Sequence, residues 1–490
     1  MNNSIHPTLA TADLGSNSFR LQVARVEGHQ IYPLDSLKET VRLGAGLDQD
    51  KNLSPDIQAA ALAALARFGE RLRGLQPEQV RIVGTNTLRV AKNGAAFIAQ
   101  AEEALGFPID IIAGREEARL IYLGAAHSLP NTPERRLVVD IGGGSTEFII
   151  GQHFEAMVTE SLPLGCVSYS LRFFPDDKYT AQAFALAVWA ARDYVQRIVK
   201  DYPRSGWDIA VGTSGTARSL RDILQANDWG AAITLKGLLT LKERLIKRGS
   251  LKNLDLKGLR EDRMPVLAGG LAVMLAVFEE LEVESMQVVD GALRDGVLYD
   301  MLGRYSNQDM RDTTVNTMLK RSHAEVLQAN RVKELALNLY ARLSPDMPDK
   351  KPLIWAALLH EIGLSIAHAG YHKHSAYVIE YADMVGFSLS EQRRLARIVL
   401  SHRGDMKKNK PLQSDAALWL TVVSLRLAVL FLRSRNGIEL PSEFALSIKK
   451  HRLIMTLPED WLATHPLTES ALRQEIQQWE KVGLDFLLNP

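Results

Sequence analysis

Two stretches of the chain echo each other: Val139-Asp-Ile-Gly-Gly-Gly-Ser-Thr-Glu-Phe148 and Thr11-Ala-Asp-Leu-Gly-Ser-Asn-Ser-Phe19. Each places an aspartate, Asp140 or Asp13, at the end of a β-prone run and follows it with a Gly/Ser turn into another β-prone run. Glycine permits close approach of backbone N–H groups to an anion, and consecutive N–H donors form a nest for phosphate oxygens. One copy alone is also typical of an ordinary turn. Two copies favour a duplicated α/β domain with two phosphate loops facing one cleft.

The pattern of predicted secondary structure changes near residue 306. Before it, short β-prone runs alternate with helical patterns, which is typical of α/β architecture; the runs are 81–84, 109–112, 136–140, 147–151 and 209–212. After it, helical periodicity dominates, as in 326–343, 353–364 and 391–400, with short β-prone runs at 438–440 and 453–457. The prediction is an α/β part followed by an all-α part, with a small C-terminal α+β unit. The predicted domains are 1–121, 122–305, 306–415 and 416–490.

Composition excludes several classes of protein. The chain has 490 residues, 46% hydrophobic and 23% charged, with a formal net charge of +1. That balance lacks the basic field of a non-specific nucleic-acid binder, so no nucleic-acid partner is expected. The single cysteine, Cys166, fits a reducing compartment. The first twelve residues lack a signal-peptide pattern, and Arg426 interrupts the apolar run 418–432, which favours a core helix over a membrane span. We therefore expect a cytoplasmic protein without integral membrane association.

Several motifs, taken in order, resemble the exopolyphosphatase/guanosine pentaphosphate phosphohydrolase family. They are Asp13-Leu-Gly-Ser-Asn-Ser18, Gly84-Thr-Asn-Thr-Leu-Arg89, Gly114-Arg-Glu-Glu-Ala-Arg119, Asp140-Ile-Gly-Gly-Gly-Ser-Thr-Glu147, Gly212-Thr-Ser-Gly-Thr216 and Asp290-Gly-Ala-Leu-Arg-Asp-Gly-Val-Leu298. The resemblance spans about residues 9–305, and the helical remainder resembles the longer members. It implies the fold of the actin/sugar-kinase/chaperone-ATPase superfamily, in which two α/β domains surround a cleft.

Hydrolysis of a terminal phosphoanhydride requires charge neutralisation and a base that orients water. Asp140 and Glu147 lie on the two arms of one predicted hairpin, so both carboxylates can face one Mg²⁺, with Asp13 as a further candidate ligand. Ligands that are all oxygen suit such a hard cation. The alternative for Glu147 is an exposed strand position.

Glu116 and Glu117 follow Gly114, where a helix is predicted to begin. Adjacent helical residues point about 100° apart, so only one of the two can face the cleft directly. The residues alone do not distinguish them, and a glutamate in a first turn also favourably opposes the helix dipole. The resemblance assigns the general base to Glu117 and leaves the capping role to Glu116. We expect the dipole to keep Glu117 ionised.

The predicted phosphate cradle is built from side chains and backbone amides of the loops. Arg89 is a candidate for bidentate phosphate contact, although a surface arginine that packs its stem is the alternative. The other predicted members are Asn17, Ser18, Gly142, Gly143, Gly144, Ser145, Gly215 and Thr216.

The helical part is rich in histidine. His323 and the pair His360-Glu361 echo metal-dependent phosphohydrolases of the HD type, but glutamate replaces the expected aspartate and no distal aspartate is evident. We therefore expect a relic HD-like fold in which His360 is a core residue rather than a ligand. A polar, basic segment between predicted helices, 370–377, suggests a channel for a long polyanion; solvated charges are the alternative. The predicted channel residues are His372, His374, Arg403, Lys407, Lys408 and Lys410.

The leading functional expectation is an Mg²⁺-dependent exopolyphosphatase that releases terminal orthophosphate from inorganic polyphosphate. The alternative is removal of the 5′-terminal phosphate of guanosine pentaphosphate, and one enzyme could catalyse both. A non-enzymatic ATP-binding switch of the actin/chaperone kind, or a sugar or acetate kinase, is a further alternative. The Glu-Glu-Ala-Arg segment together with an HD-like appendage argues against both. A homodimer is expected.

Overall fold

The computed structural model describes residues 8–27, 30–250, 256–305, 309–407, 415–449, 452–483 and 485–489. The chain forms two compact units, Met1–Asp309 and Met310–Pro490. Each unit has its own secondary structure and its own apolar core, and each is described by itself.

The first sheet of the first unit has five strands in the order β3-β2-β1-β4-β5. Strand β1 pairs antiparallel with β2 and parallel with β4. The strands are β1 Thr8–Leu14, β2 Phe19–Glu27, β3 Gln30–Glu39, β4 Val80–Gly84 and β5 Ile109–Ile111. The helices are α1 Pro55–Leu72, α2 Asn86–Val90, α3 Gly94–Leu105 and α4 Gly114–His127. Apolar side chains of α1 and α3, including Phe68 and Phe97, are buried in one core with strand residues such as Ala12 and Ile82, which fixes the sheet that carries the first predicted loop.

The second sheet has six strands in the order β10-β11-β9-β6-β7-β8. The strands are β6 Arg136–Ile141, β7 Thr146–Gln152, β8 Glu155–Leu162, β9 Ile209–Thr213, β10 Ile233–Thr234 and β11 Ser285–Val288. The helices are α5 Cys166–Phe173, α6 Ala181–Val195, α7 Ser214–Ala226, α8 Leu235–Arg248, α9 Leu267–Glu280 and α10 Leu293–Tyr305. The core of this part centres on α9, which is buried on every side from Leu267 to Phe278. An α-helix that is apolar all round is typical of such a central position.

A separate apolar core joins the two sheets. It contains Val83 of the first sheet, Val138 of the second, Leu120 of α4 and Val297 of α10. Because α4 is one continuous helix from Gly114 to His127, the predicted domain boundary after residue 121 falls inside it. Helix α4 therefore spans the predicted boundary, and α4 and α10 both contribute to the core shared by the two sheets.

The second unit is mainly helical and ends in a small three-stranded sheet of order β12-β13-β14. The helices are α11 Met310–Arg321, α12 Val326–Leu343, α13 Lys350–Leu359, α14 Tyr371–Tyr381, α15 Leu389–Ser401, α16 Ala416–Phe431, α17 Glu459–Thr464 and α18 Pro466–Glu480. The strands are β12 Ala445–Lys449, β13 Arg452–Thr456 and β14 Asp485–Asn489. The predicted order of fold classes, α/β followed by helices and a small β-containing unit, is confirmed.

One apolar core runs through the whole second unit. It includes Trp355 and Val399 as well as Leu425, Leu453 and Trp479. Segments 306–415 and 416–490, predicted as two domains, therefore share a core in the structure. The β-prone run 438–440 is not a strand, because the hairpin partner of β13 lies later, at 445–449. Among the described residues, no helix is long and apolar enough to cross a membrane.

Candidate active site

The two echoing stretches form twin β-hairpins. In the first, β1 and β2 pair so that Asp13 lies opposite Arg20. In the second, β6 and β7 pair so that Asp140 lies opposite Glu147. Each hairpin therefore spans the same eight residues from its aspartate to the residue facing it, and the sequence echo is a structural repeat.

The tips of the twin hairpins touch. A Cβ on Gly143 would lie 2.9 Å from the Ser16 Cβ and 3.2 Å from the Asn17 backbone nitrogen. Both distances are shorter than ordinary carbon and nitrogen contacts, so only glycine lets the second tip approach the first so closely. The glycine-rich turn thus brings two loops of backbone donors to one place.

Four carboxylates line one cavity of about 110 Å³ between the hairpins: Asp13, Glu117, Asp140 and Glu147. The last three are almost fully buried. Asp140 Oδ2 accepts a hydrogen bond of 2.6 Å from Ser214, and Glu147 Oε1 accepts one of 2.8 Å from Ser161. Desolvation raises the pKa of Asp13 to about 6 and also raises the pKa of Asp140 and Glu147. The cavity therefore holds carboxyl groups whose ionised forms are disfavoured by burial.

The chemistry of these carboxylates fits a hard divalent cation. The Oδ1 atoms of Asp13 and Asp140 are buried and have no hydrogen-bond partner in the described part of the chain. Within the same residues, no three His, Cys, Asp or Glu side chains converge as a complete metal cage. Mg²⁺ is commonly held by one or two carboxylates together with water and substrate phosphate oxygens. The two orphaned oxygens, on Asp13 and Asp140, fit such an incomplete protein shell, whereas Glu147, opposite Asp140 in the hairpin, accepts a hydrogen bond from Ser161; the metal site stays a prediction.

Glu117 lies in the first turn of α4 and lines the cavity. Its pKa is raised well above the usual range, first by burial and then by the negative charge of Glu147. Burial and the neighbouring carboxylates thus act against the helix dipole, whose effect is typically 0.3–1 kcal/mol, and the ionised state of Glu117 stays a prediction. Arg89 opposes this rise, with its Nη1 3.4 Å from Glu117 Oε2. A carboxylate whose pKa is raised binds a proton more tightly than one of ordinary pKa.

Glu116 has a different environment from its neighbour. It accepts two hydrogen bonds, of 2.9 and 2.8 Å, from Arg119. Arg119 in turn donates to Asp300 of α10 at 2.6 Å, and Asp300 also accepts a 2.6 Å bond from Arg81 of β4. Glu116 is thus one end of a buried ion network rather than simply a cap for the helix. The network fixes the start of α4, and with it Glu117, against the first sheet and α10.

Four arginines also line the cavity, and the sequence analysis predicts none of them: Arg20, Arg218, Arg263 and Arg294. Burial and the other three arginines lower the pKa of Arg20 to about 10. Mutual repulsion of this kind is relieved when an anion binds. The sequence held a signal for two of them. Arg20 is the eighth residue counted from Asp13, the place that Glu147 holds counted from Asp140, and Arg294 lies in the 290–298 motif. Arg218 and Arg263 carry no local signal.

The third predicted loop becomes the junction between β9 and α7. Ser214 begins α7 with a positive φ of 63°, a conformation that costs a residue with a side chain about 1–3 kcal/mol and clusters at functional sites. Its hydroxyl is thereby placed on Asp140. A Cβ on Gly215 would lie only 1.7 Å from the Arg263 guanidinium, so the glycine makes room for that arginine.

The structure brings together most of the predicted cradle but not all of it. Gly144 packs against Asn86, Thr216 donates 2.9 Å to the Ile141 carbonyl, and Arg89 donates 2.7 Å to the Ile112 carbonyl. These three do not line the cavity, and Arg89 is linked to it only through its contact with Glu117. The predicted residues that do line it are Asn17, Ser18, Gly142, Gly143, Ser145 and Gly215.

In the second unit, His360 is 1% exposed and its Nδ1 lies 2.7 Å from the Ala357 carbonyl, as a core histidine should. It faces His402, with 5.3 Å between ring centroids, whereas His323 is exposed and lines no cavity with it. Segment 371–381 is helix α14 rather than a connection between helices.

The predicted channel residues are only partly described. His372 lies near His402, with 6.1 Å between ring centroids, and Arg403 lies over the Tyr371 ring. His374 is half-buried and Lys407 is exposed. Lys408 and Lys410 lie outside the described residues. The channel stays a prediction.

Comparison with known proteins finds relatives over the whole length of the chain. A protein 41% identical over 98% of both chains is the guanosine-5′-triphosphate,3′-diphosphate pyrophosphatase of Pseudoalteromonas translucida. A protein of the same name from Photobacterium profundum is 36% identical over 99% of both chains. An exopolyphosphatase crystal structure from Cytophaga hutchinsonii has a TM-score of 0.54 at 23% identity, and it covers 61% of this chain and 98% of its own. The Aquifex aeolicus Ppx/GppA family member has a TM-score of 0.50 at 26% identity, with 61% and 98% coverage.

Two family models match the chain in succession. The Ppx/GppA phosphatase family matches residues 22–305, and Ppx/GppA phosphatase domain III matches residues 310–476. The predicted hydrolase class and the two actin-like α/β domains are thereby confirmed. The chain belongs to the Ppx/GppA phosphatase family.

Proposed function

We propose that this protein removes the 5′-terminal phosphate of guanosine pentaphosphate by hydrolysis of a phosphoanhydride bond. The observation that carries the proposal is the full-length similarity to two proteins named for guanosine-5′-triphosphate,3′-diphosphate. These relatives favour the alternative over the leading expectation, exopolyphosphatase activity, for which the structural likeness at 23% identity speaks only to the fold.

The distribution of positive charge supports a substrate with two phosphate chains. Next to the carboxylate cavity lies a second cavity of about 220 Å³, lined by Arg20, Arg218, Arg260 and Arg263. Three of these arginines also line the first cavity. Guanidinium groups bind phosphate through paired N–H donors. A triphosphate at the carboxylates and a diphosphate at the arginines would use both cavities.

The residues divide the chemical work among themselves. The backbone amides of the hairpin tips and the arginines hold the phosphate oxygens, and Glu117 accepts a proton from the attacking water. Mg²⁺, held by Asp140 and Glu147 with Asp13 nearby, would supply positive charge against the phosphate oxygens. Arg89 acts on Glu117 in the opposite direction to the neighbouring carboxylates: its positive charge lowers the pKa of Glu117, whereas their negative charges raise it.

The test is phosphate release from guanosine pentaphosphate, GTP and long-chain polyphosphate, each with Mg²⁺ and with a chelator. GTP is the matched control because it lacks only the 3′-diphosphate. We expect guanosine pentaphosphate to have the highest kcat/KM, and chelation to abolish release. A higher kcat/KM on polyphosphate would return the protein to the exopolyphosphatase expectation. No release from any substrate would favour the nucleotide switch.

A further inference from the structure

The two carboxylates of the second hairpin lie in one row of paired residues that crosses the sheet. Strands β9, β6, β7 and β8 are neighbours in that order. Across them, Thr213 pairs with Asp140, Asp140 with Glu147, and Glu147 with Ser161. Residues paired directly across strands place their side chains on the same face of a sheet. The row therefore flanks each carboxylate with a hydroxyl-bearing residue from a strand outside the hairpin.

Ser161 of β8 is the outer neighbour of Glu147. Its hydroxyl donates 2.8 Å to Glu147 Oε1, and Glu147 lines the carboxylate cavity whereas Ser161 does not. A Cβ on Gly114 would lie 2.5 Å from the Ser161 Cβ, so the start of α4 packs directly on this serine. Ser161 thus lies behind the cavity wall and reaches the cavity through the carboxylate that it binds.

Ser214 does the same for Asp140 by a different route. Thr213, the register partner of Asp140, directs its hydroxyl to the Gly291 carbonyl at 2.6 Å. The next residue of a regular strand would point to the opposite face of the sheet. Ser214 instead begins α7 with a φ of 63°, and its hydroxyl donates 2.6 Å to Asp140 Oδ2. A left-handed backbone that is costly for serine therefore accompanies the return of its side chain to the row.

One hydroxyl occupies one carboxylate oxygen, because serine has a single O–H proton to donate. Asp140 has its Oδ2 bound to Ser214, while its Oδ1 is buried and has no partner in the described part of the chain. The bound oxygen fixes the rotation of the carboxylate plane, and with it the direction of the other oxygen. Hydrogen-bond donors behind metal-binding groups orient them in this way, and their loss typically weakens metal affinity about 10–100-fold.

We infer that Ser161 and Ser214 are positioning residues for the cation of the proposed reaction, because each holds one of the two hairpin carboxylates in a fixed direction. Glu147 and Asp140 would bind the cation, and the serines would act through them without touching it. The inference rests on the proposed function for its cation and its reaction, but its main test needs no turnover.

The test is Mg²⁺ binding by the full chain without substrate, measured as the rise in Tm over a titration of Mg²⁺. Ser161→Ala and Ser214→Ala each remove one hydroxyl, and we expect each to need about tenfold or more Mg²⁺ for the same rise in Tm. Ser214→Gly also removes the hydroxyl but adopts a positive φ without strain. It should lose Mg²⁺ affinity as Ser214→Ala does, although it is the more stable of the two without Mg²⁺.

The matched control is Ser128→Ala, in the same unit. The Ser128 hydroxyl donates 3.3 Å to the Gly124 carbonyl one helical turn earlier, not to a carboxylate. This variant should bind Mg²⁺ as the unsubstituted protein does. Full Mg²⁺ affinity in Ser214→Gly would show that the backbone conformation, rather than the hydroxyl, orients Asp140, and would overturn the role of Ser214.

Turnover of guanosine pentaphosphate provides the second readout. Ser161→Ala and Ser214→Ala should slow phosphate release at limiting Mg²⁺ and regain most of it when Mg²⁺ is raised about tenfold, which a merely unfolded variant would not do. Unchanged Mg²⁺ affinity in both variants, or no effect of Mg²⁺ on the Tm of the unsubstituted protein, would overturn the inference. Unchanged affinity with a raised KM in Ser214→Ala would make Ser214 a phosphate contact instead. Lowered Mg²⁺ affinity in the variants, with no phosphate release from any substrate by the unsubstituted protein, would refute the proposed function alone.

Discussion

Replacing Asp300 by asparagine tests the buried ion network behind the active site. Asp300 is 7% exposed and binds Arg81 and Arg119 at 2.6 Å and Arg304 at 3.1 Å. The three arginines hold the pKa of Asp300 far below its usual range, so its stabilising contribution is fully present at neutral pH and is lost only when the pH falls through that lowered value. Removing one partner of a buried ion pair costs about 3–5 kcal/mol. We expect Asp300→Asn to lose about that much free energy of unfolding.

The matched control is Asp193→Asn, in the same unit. Asp193 also binds an arginine, Arg197, at 2.7 Å, but both side chains are at least 60% exposed. Such surface pairs contribute about 0–1 kcal/mol. Urea denaturation followed by hydrogen-exchange mass spectrometry would report the first unit separately from the second. Equal losses in the two variants would refute the argument that burial gives the network its strength.

Turnover provides a second readout of the same variant. Arg119 binds Glu116, the neighbour of Glu117. Loss of the Asp300 charge should loosen Arg119 and thereby displace Glu117 more than the phosphate loops. We expect Asp300→Asn, in conditions where it is folded, to lower kcat with little change in KM. A rise in KM alone would show that the network positions substrate instead.

The remaining predictions concern the cavity itself. Glu117→Gln should abolish phosphate release while substrate binding persists; full activity would contradict its role as base. Gly143→Ala should lower kcat about tenfold or more, because its methyl group pushes the hairpin tips apart, whereas Gly437→Ala, which meets open space, should not. Mg²⁺ should raise Tm more at pH 8 than at pH 5. At the lower pH, protons occupy carboxylates whose pKa is raised, such as Asp13 at about 6, and so compete with the cation for them. Equal shifts of Tm at the two pH values would contradict the carboxylate site.

What the sequence could predict depends on how locally each feature is encoded. The hairpins around Asp13 and Asp140 were predictable, because an aspartate, a glycine-rich turn and two β-prone runs lie within ten residues of each other. Arg263 was not, since it reaches the cavity from a short helical turn more than a hundred residues beyond the second hairpin. The raised pKa of Glu117 was also out of reach, because the sequence shows the helix start but not the carboxylates that the fold packs against it.

The facing residues of the twin hairpins have a directional consequence. Arg20 and Glu147 hold the same place in the two repeats, yet Arg20 has three other arginines near it, whereas the carboxyl group of Glu147 has Asp140 near it. The two copies of the motif therefore present different side chains to one cavity, a guanidinium group from the first and a carboxyl group from the second. In the proposed reaction, a phosphate chain with one free end would meet different groups at Arg20 and at Glu147, so its two directions of entry would not be equivalent. Divergence at one position between two copies of a motif thus gives the cavity two unlike sides.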